Sequence, residues 1–407
     1  MAVPKIRIKD FESEWMSDII GNISNSFSGG TPTAGNHNYY GGNIPFIRSG
    51  EIHSDKTELF LTEEGLNSSS AKLVDKGNIL YALYGATSGE VDVSKIGGAI
   101  NQAILAILPK DNINKYFLCY LLQNKKEHIV NSLIQGGQGN LSGALIKSYL
   151  VNFADITEQE AIADYFQSLD LLIEATDKKI ATLKQTKQAC LQSMFPQEGE
   201  TKPRVRFKGF TDEWKKVEIG KYGDTYSGLS GKSKDDFGKG NAKYITFLNV
   251  LTNAQINTSI LESVDVKTGE RQNAVQKGDI LFNTSSETPE EVGLCSVLLE
   301  DIPNVYLNSF CFGFRPNNPA ISSEFLVYLM RGHIGRSIMK VLAQGATRYN
   351  LSKKRLCETL IPIPTNIEEQ KQIAEYFSNL DKQISIQEQR LEKLKQIKSA
   401  CLKNMFV

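Results

Sequence analysis

The stretch ITEQEAIADYFQSLDLLIEATDKKIATLKQTKQACLQSMF, residues 156–195, returns 211 residues later as IEEQKQIAEYFSNLDKQISIQEQRLEKLKQIKSACLKNMF, residues 367–406. Both copies carry apolar side chains at heptad spacing. In the first, Phe166, Ile173, Ile180, Lys187 and Met194 take the a positions, and Ile162, Leu169, Thr176, Leu183 and Cys190 the d positions. In the second, Phe377, Ile384, Leu391, Lys398 and Met405 alternate in the same way with Ile373, Leu380, Gln387, Leu394 and Cys401. A seam kept up over about five heptads is the signature of a coiled coil. At 1.5 Å per residue, a helix of roughly 38 residues spans about 57 Å. Asp155 and Asn366 stand at N-cap positions with Glu158 and Glu369 three residues on, the spacing of a capping box. Pro196 stops the first helix. We expect the two long helices to run antiparallel; the alternative is that each packs only on its own domain.

The duplication extends outward from the helices. Pro4-Lys-Ile-Arg-Ile-Lys-Asp-Phe-Glu-Ser-Glu-Trp15 recurs as Pro203-Arg-Val-Arg-Phe-Lys-Gly-Phe-Thr-Asp-Glu-Trp214. Weaker echoes join Lys76-Gly-Asn-Ile-Leu-Tyr81 to Lys277-Gly-Asp-Ile-Leu-Phe282, and Asn140-Leu-Ser142 to Asn350-Leu-Ser352. Two copies of a domain-plus-helix unit imply internal pseudo-two-fold symmetry, not a solenoid. The segments are a first domain at 1–155, a long helix at 156–195, a second domain at 196–366 and a second long helix at 367–407. Within the domains, short β-rich runs alternate with turn clusters, which predicts a mixed α/β (α+β) fold. Strands are expected at Ile44–Arg48, Asn78–Tyr84 and Ile100–Leu108, then at Lys243–Val250, Asp279–Asn283, Cys295–Leu299 and Ser309–Arg315. Helices are expected at Lys115–Asn131 and Ser323–Leu342, and the two Asn-Leu-Ser motifs are suited to capping a further short helix.

Composition narrows the function. At 407 residues, 41% hydrophobic and 23% charged, the chain suits two globular domains plus connectors. It has no apolar run long enough to span a bilayer, and MAVPKIRIKDFESEW lacks the apolar core of a secretory signal. The six cysteines form no CxxC pair, which fits reduced cytoplasmic thiols and argues against a disulfide framework or a zinc site. Net charge is zero, but unevenly spread: residues 1–155 carry 13 Lys and Arg against 15 Asp and Glu, and residues 196–366 carry 22 against 19.

No catalytic constellation emerges. In Gly228-Leu-Ser-Gly-Lys-Ser233 the leading glycine of a phosphate loop would fall on Tyr226. There is no HExxH, no GxSxG, no Asn-Pro-Pro-Tyr-type methyl-transfer motif and no nuclease carboxylate cluster. Two loop-bearing domains without chemistry of their own point to a binder; a coiled-coil scaffold unrelated to DNA is the competing reading.

In combination, these residues resemble the specificity (S) subunits of type I restriction–modification systems, over essentially the whole chain. The resemblance rests on Gly29-Gly-Thr-Pro32, Tyr40-Gly-Gly-Asn-Ile-Pro-Phe-Ile47, Lys277-Gly-Asp-Ile-Leu281, the run from Gln344-Gly through Asn350-Leu-Ser352 to Ile361-Pro-Ile-Pro364, and Glu368-Glu-Gln-Lys-Gln-Ile-Ala-Glu-Tyr-Phe377. The chain departs from it at Leu150-Val-Asn-Phe-Ala154, where the second copy has its Pro-Ile-Pro approach, and at Tyr226-Ser-Gly-Leu-Ser-Gly-Lys-Ser233, in place of Gly-Gly-Thr-Pro. The resemblance implies two target-recognition domains, each reading one half of an asymmetric bipartite site in double-stranded DNA, with the helices setting the gap. Half-sites about one turn apart, ~34–36 Å, can be addressed from one face of the duplex. It further implies docking of two methyltransferase (M) subunits and association with restriction translocase–nuclease (R) subunits. S-adenosylmethionine, ATP and magnesium would be bound by those partners, with no cofactor in this chain.

Direct readout pairs Arg and Lys with guanine and Asn and Gln with adenine, while phosphate contacts fix register. On that chemistry the candidates are His37, Tyr39, Arg48, Tyr84, Gln138 and Asn140 in the first domain. In the second they are Lys232, Lys234, Asn249, Asn283, Arg348, Tyr349 and Lys353, where Arg348–Arg355 mixes basic and aromatic residues at an expected helix start. For each cation the plain alternative is a solvated loop, and for each tyrosine a packing role.

Overall fold

The computed structural model describes residues 3–134, 140–345 and 347–407. The long helices run Ile156–Ser193 and Ile367–Met405. Asp155 Oδ1 accepts the Glu158 N–H at 3.0 Å, and Asn366 Oδ1 accepts the Glu368 N–H at 2.9 Å. The return half of the expected capping box does not form, because both glutamates are committed elsewhere. The buried Glu158 carboxylate takes two nitrogens of Arg7 at 2.8 and 2.7 Å. Glu369 takes two from Arg206 at 2.6 and 2.8 Å and the Trp214 indole N–H at 3.3 Å. The duplicated Pro-to-Trp segments therefore supply the counter-charge for a carboxylate that burial would otherwise make costly. The next residue is used the same way twice. Gln159 accepts from Asn114 N–H and donates to Ala154 O, while Gln370 accepts from Ser322 N–H and donates to Pro364 O. Each Glu-Gln pair pins the start of a long helix into its own domain.

The chain divides into two compact units, one of residues 1–178 with 389–407 and one of residues 179–388. In each, the beginning of one long helix lies antiparallel to the end of the other. The heptad positions are the buried or half-buried ones along both helices. The seam lysines have partners that explain their place among apolar residues. In the first unit Lys398 pairs with Asp170, which also accepts from the Tyr120 hydroxyl. In the second unit Lys187 pairs with Asp381, which also accepts from the Tyr328 hydroxyl. A ring cluster closes each junction: Trp15, Phe117, Phe166 and Phe406 in the first unit, and Trp214, Phe325, Phe377 and Phe195 in the second. Phe166 stacks on Phe406 at 5.8 Å, and Phe377 on Phe195 at 5.9 Å.

In the first unit the strands are β1 (Met16–Ile19), β2 (Ser24–Ser28), β3 (Tyr40–Ile47), β4 (Phe60–Leu61), β5 (Lys72–Val74), β6 (Ile79–Ala82), β7 (Val91–Val93), β8 (Gly98–Ile100), β9 (Ile104–Pro109) and β10 (Leu150–Phe153). An antiparallel sheet has the order β2-β9-β6-β7, a mixed sheet the order β4-β3-β8-β5, and β1 pairs with β10. The side chains of β6 and β9 alternate between two layers. Ile79, Tyr81, Leu105 and Ile107 pack on helix Lys115–Ile134 and the long helix, while Leu80, Ala82, Ile104 and Ala106 pack on Ile47, Val74 and Ile100 of the mixed sheet. Being covered on both faces, these strands are apolar throughout. The run expected at Ile100–Leu108 is two strands, broken where Asn101 Oδ1 accepts the Ala103 N–H at 3.2 Å.

The second unit repeats this plan with β11 (Lys215–Glu218), β12 (Gly223–Ser227), β13 (Phe237–Ile245), β14 (Glu262–Val264), β15 (Ile280–Asn283), β16 (Ser285–Ser286), β17 (Cys295–Val297), β18 (Val305–Leu307), β19 (Cys311–Pro316), β20 (Tyr349–Asn350) and β21 (Leu360–Ile363). The sheets are β12-β19-β15-β17 and β14-β13-β18, with β11 on β21 and β16 on β20. The parallel pair β13–β18 matches β3–β8. Two expected elements are corrected. The strand at Lys243–Val250 ends at Ile245, because Thr246 Oγ1 accepts the Asn249 N–H at 3.2 Å and caps helix Phe247–Thr252. The helix at Ser323–Leu342 is two, Ser323–Arg331 and His333–Leu342, separated by Gly332 in extended backbone.

Candidate nucleic-acid interface

In each unit four loops meet at one end of the four-stranded antiparallel sheet, tied by the same four main-chain hydrogen bonds. In the first unit Gly29 N–H donates to Ile104 O (3.4 Å), Gly30 N–H to Ile100 O (3.1 Å), Leu83 N–H to Ala103 O (2.8 Å) and Leu141 N–H to Leu83 O (3.0 Å). In the second, Gly228 N–H donates to Cys311 O (3.3 Å), Leu229 N–H to Leu307 O (2.7 Å), Thr284 N–H to Phe310 O (2.9 Å) and Leu351 N–H to Thr284 O (2.8 Å). The approach leaves no room for a side chain at the first position: a Cβ on Gly29 would lie 1.9 Å from Ile100 O, and one on Gly228 2.2 Å from Asn308 O. Ser142 and Ser352 then cap short helices, accepting from Leu145 N–H at 3.2 Å and Arg355 N–H at 3.4 Å.

On this shared frame the side chains differ. The first cluster carries Thr31 hydrogen-bonded to Gln102, with Tyr84 half-buried and Asn140 exposed. The second carries Ser285 and Ser286 paired with Asn350 and Tyr349, and exposed Ser309 and Phe310. Lys353 Nζ donates to Ser227 Oγ at 2.5 Å and stands 5.9 Å over the Phe312 ring.

The structure sorts the candidate readers. Tyr84, Asn140, Arg348, Tyr349 and Lys353 lie in or beside the two loop clusters. Burial raises the pKa of the Tyr84 hydroxyl above its ordinary value. His37 is exposed and Tyr39 half-buried in the turn before β3. Lys234 is exposed before β13. Gln138 lies outside the described residues.

Four other candidates are engaged by local partners or buried. Asn249 is buried, donating to Asn257 O and accepting from Asn253 and from Asn257 N–H. Asn283 is buried and donates to Glu291 O at 2.9 Å. The Lys232 side chain is only 5% exposed, its ammonium held by Glu270 and Asp265 O at 2.6 Å each. The Arg48 guanidinium is shared between Glu51 at 2.9 Å and Glu58 at 2.7 Å, and those hydrogen bonds raise its pKa. Local partners hold the polar groups of Arg48, Lys232 and Asn249, whereas Asn283 donates to Glu291 O and keeps its buried Oδ1 without a hydrogen-bond partner among the described residues. The loops 101–103 and 308–310 escaped the sequence reading. Their signal was a shared asparagine two residues before Ala103 and Phe310, accepting the N–H of each.

Residues 12–185 and 211–396 each match the family model described as the type I restriction modification DNA specificity domain. The chain belongs to that family. Both specificity domains contain one loop cluster and most of one long helix. Among curated relatives, the MjaVIII specificity subunit of Methanocaldococcus jannaschii is 23% identical over 343 residues, 80% of this chain and 77% of that one. The MjaIX specificity subunit of the same organism is 29% identical over 174 residues, covering 41% of this chain and 40% of the relative. The type I S subunit from M. genitalium shares the fold with a TM-score of 0.63 at 17% identity, over 100% of this chain and 99% of the other. A chain from work on assembly and conformational transition of the type I system gives 0.53 at 16% identity, over 98% and 99%. No helix among the described residues is long and apolar enough to cross a membrane.

Proposed function

We propose that this chain is the sequence-reading subunit of a type I restriction–modification complex, each loop cluster reading one half of an asymmetric bipartite DNA target. The observation that carries this reading is the pair of clusters: four matched main-chain hydrogen bonds in each, with unlike side chains on top. A constant frame with variable loops suits two different specificities. The long helices set the gap between half-sites and dock two methyltransferase subunits, and restriction translocase–nuclease subunits join that core. S-adenosylmethionine, ATP and magnesium belong to those partners; the chain itself binds DNA without catalysing a step.

Co-expression with its methyltransferase partner, followed by genome-wide mapping of methylated adenines, tests this. One asymmetric motif with a fixed unspecified gap is expected. Exchanging residues 211–364 for the matching segment of another family member changes one half of the motif and leaves the other half in place. An assembled complex, active on other targets when given another specificity subunit, that methylates nothing with this chain would overturn the reading.

A further inference from the structure

We infer that Phe310 is an apolar contact to the bases of the half-site addressed by the second unit, an inference that rests on the DNA-reading function proposed above. The residue is 56% exposed, on one of the loops tied into the cluster. Its main chain is held on both sides: Phe310 N–H donates to Asn308 Oδ1 at 2.8 Å, and Phe310 O accepts from Thr284 N–H at 2.9 Å. In the first unit Ala103 has the same two bonds, from its N–H to Asn101 Oδ1 and from Leu83 N–H to its carbonyl. The frame therefore needs no aromatic ring here. Nor does the core: two residues on, Phe312 is fully buried and stacks on Phe282 at 5.3 Å, completing the packing on that strand.

The loop that carries Phe310 is polar: Asn308 and Ser309 precede it, and its carbonyl is tied to the main chain of Thr284. An uncharged ring has no attraction for phosphate, so its ligand on a duplex is the apolar part of a base. Two such surfaces exist: the 5-methyl group of a thymine in the major groove, and the stacked face exposed when a ring wedges between base steps. Both predict that the ring contributes to discrimination and not to general affinity.

The test uses the full chain assembled with its methyltransferase partner and the mapped target duplex. Affinity is measured for target and scrambled duplexes over a range of salt concentrations. Phe310→Ala is expected to weaken target binding about tenfold or more and leave scrambled DNA unchanged. The slope of log affinity against log salt stays the same, since no phosphate contact is lost. Phe310→Leu recovers part of the loss. Thymine-to-uracil replacement along the second half-site separates the two surfaces. A position where wild type loses affinity and Phe310→Ala does not identifies a methyl contact. No such position, with 2-aminopurine emission that rises in the wild-type complex alone, identifies a wedge. The inference is overturned if Phe310→Ala, with unchanged thermal melting, keeps full discrimination or weakens both duplexes equally. A wild-type complex that does not discriminate at all overturns the DNA-reading function, and this inference with it.

Discussion

His53 stands between two carboxylates in the first unit, Nδ1 at 2.9 Å from Asp92 and Nε2 at 3.4 Å from Glu90. Lys126 pairs with the same Glu90, and Lys95 donates to the His53 carbonyl. The hydrogen bond to Asp92 raises the imidazole pKa above its ordinary value. The protonated form is thus bound more tightly in the folded state. Its contribution is fully present below about pH 6.5 and is lost as pH rises through the higher folded-state value. The difference in thermal melting between wild type and His53→Gln should therefore be largest near pH 6 and shrink towards pH 8; a difference that grew with pH would reverse the sign of this coupling. The same locality explains which candidate readers were legible. Residue type showed what Arg48, Lys232 and Asn249 can do chemically, but not that Glu58, Glu270 and Asn257, near in sequence or in space, bind them, nor that Asn283 is buried. Asn140 and Arg348 are exposed beside the loop clusters.

At the level of elements, the two copies solve one packing problem in opposite ways. Across β12, β19 and β15, Asp279, 1% exposed, accepts two nitrogens of Arg315 at 2.8 and 2.6 Å and the Tyr226 hydroxyl at 2.6 Å. By strand register the first unit has Phe27, Leu108 and Asn78 at these places. Removing one partner of a buried pair strands the other, whereas replacing the whole set by apolar groups of similar volume is often neutral. Asp279→Asn should cost about 2–3 kcal/mol, below the cost of a fully dry pair because Arg315 is partly solvated. The triple variant Tyr226→Phe, Asp279→Asn, Arg315→Leu should return to within about 1 kcal/mol of wild type. Urea denaturation of the three proteins checks both, and a triple variant less stable than the single one refutes the transplant. Periodicity made the long helices readable almost to the residue, since a burial stripe at 3.5-residue spacing has no other structural meaning over that length. It failed where a capping side chain or a lone glycine overrules hydrophobicity, as at Thr246 and Gly332. It failed again at Glu158 and Glu369, whose partners Arg7 and Arg206 lie more than 150 residues away.

Taken whole, the chain is two repeats in sequence, but its two compact units are not those repeats. Each repeat holds one uninterrupted long helix, while each unit takes part of both. The second unit is one continuous stretch; the first is completed by residues 389–407, which bring Phe406 and Met405 into the cluster around Trp15, Phe117 and Phe166. Removing 389–407 should therefore cost residues 1–178 their amide hydrogen-exchange protection, while the sheets within 179–388 keep theirs. Protection retained in both units would show that the first core closes without that segment. The duplication made this plan partly readable, because Phe195 and Phe406 occupy matching places in the repeat. The exchange of helix ends follows from the antiparallel pairing expected of the two heptad seams, but the point at which one compact unit gives way to the other, at residues 178 and 389, had no local signal. The timing of synthesis follows from that exchange. The half that leaves the ribosome first is the last to mature: its Phe117 must wait for an aromatic ring, Phe406, translated 289 residues later, so a newborn chain offers chaperones and proteases an unfinished amino-terminal half throughout its elongation.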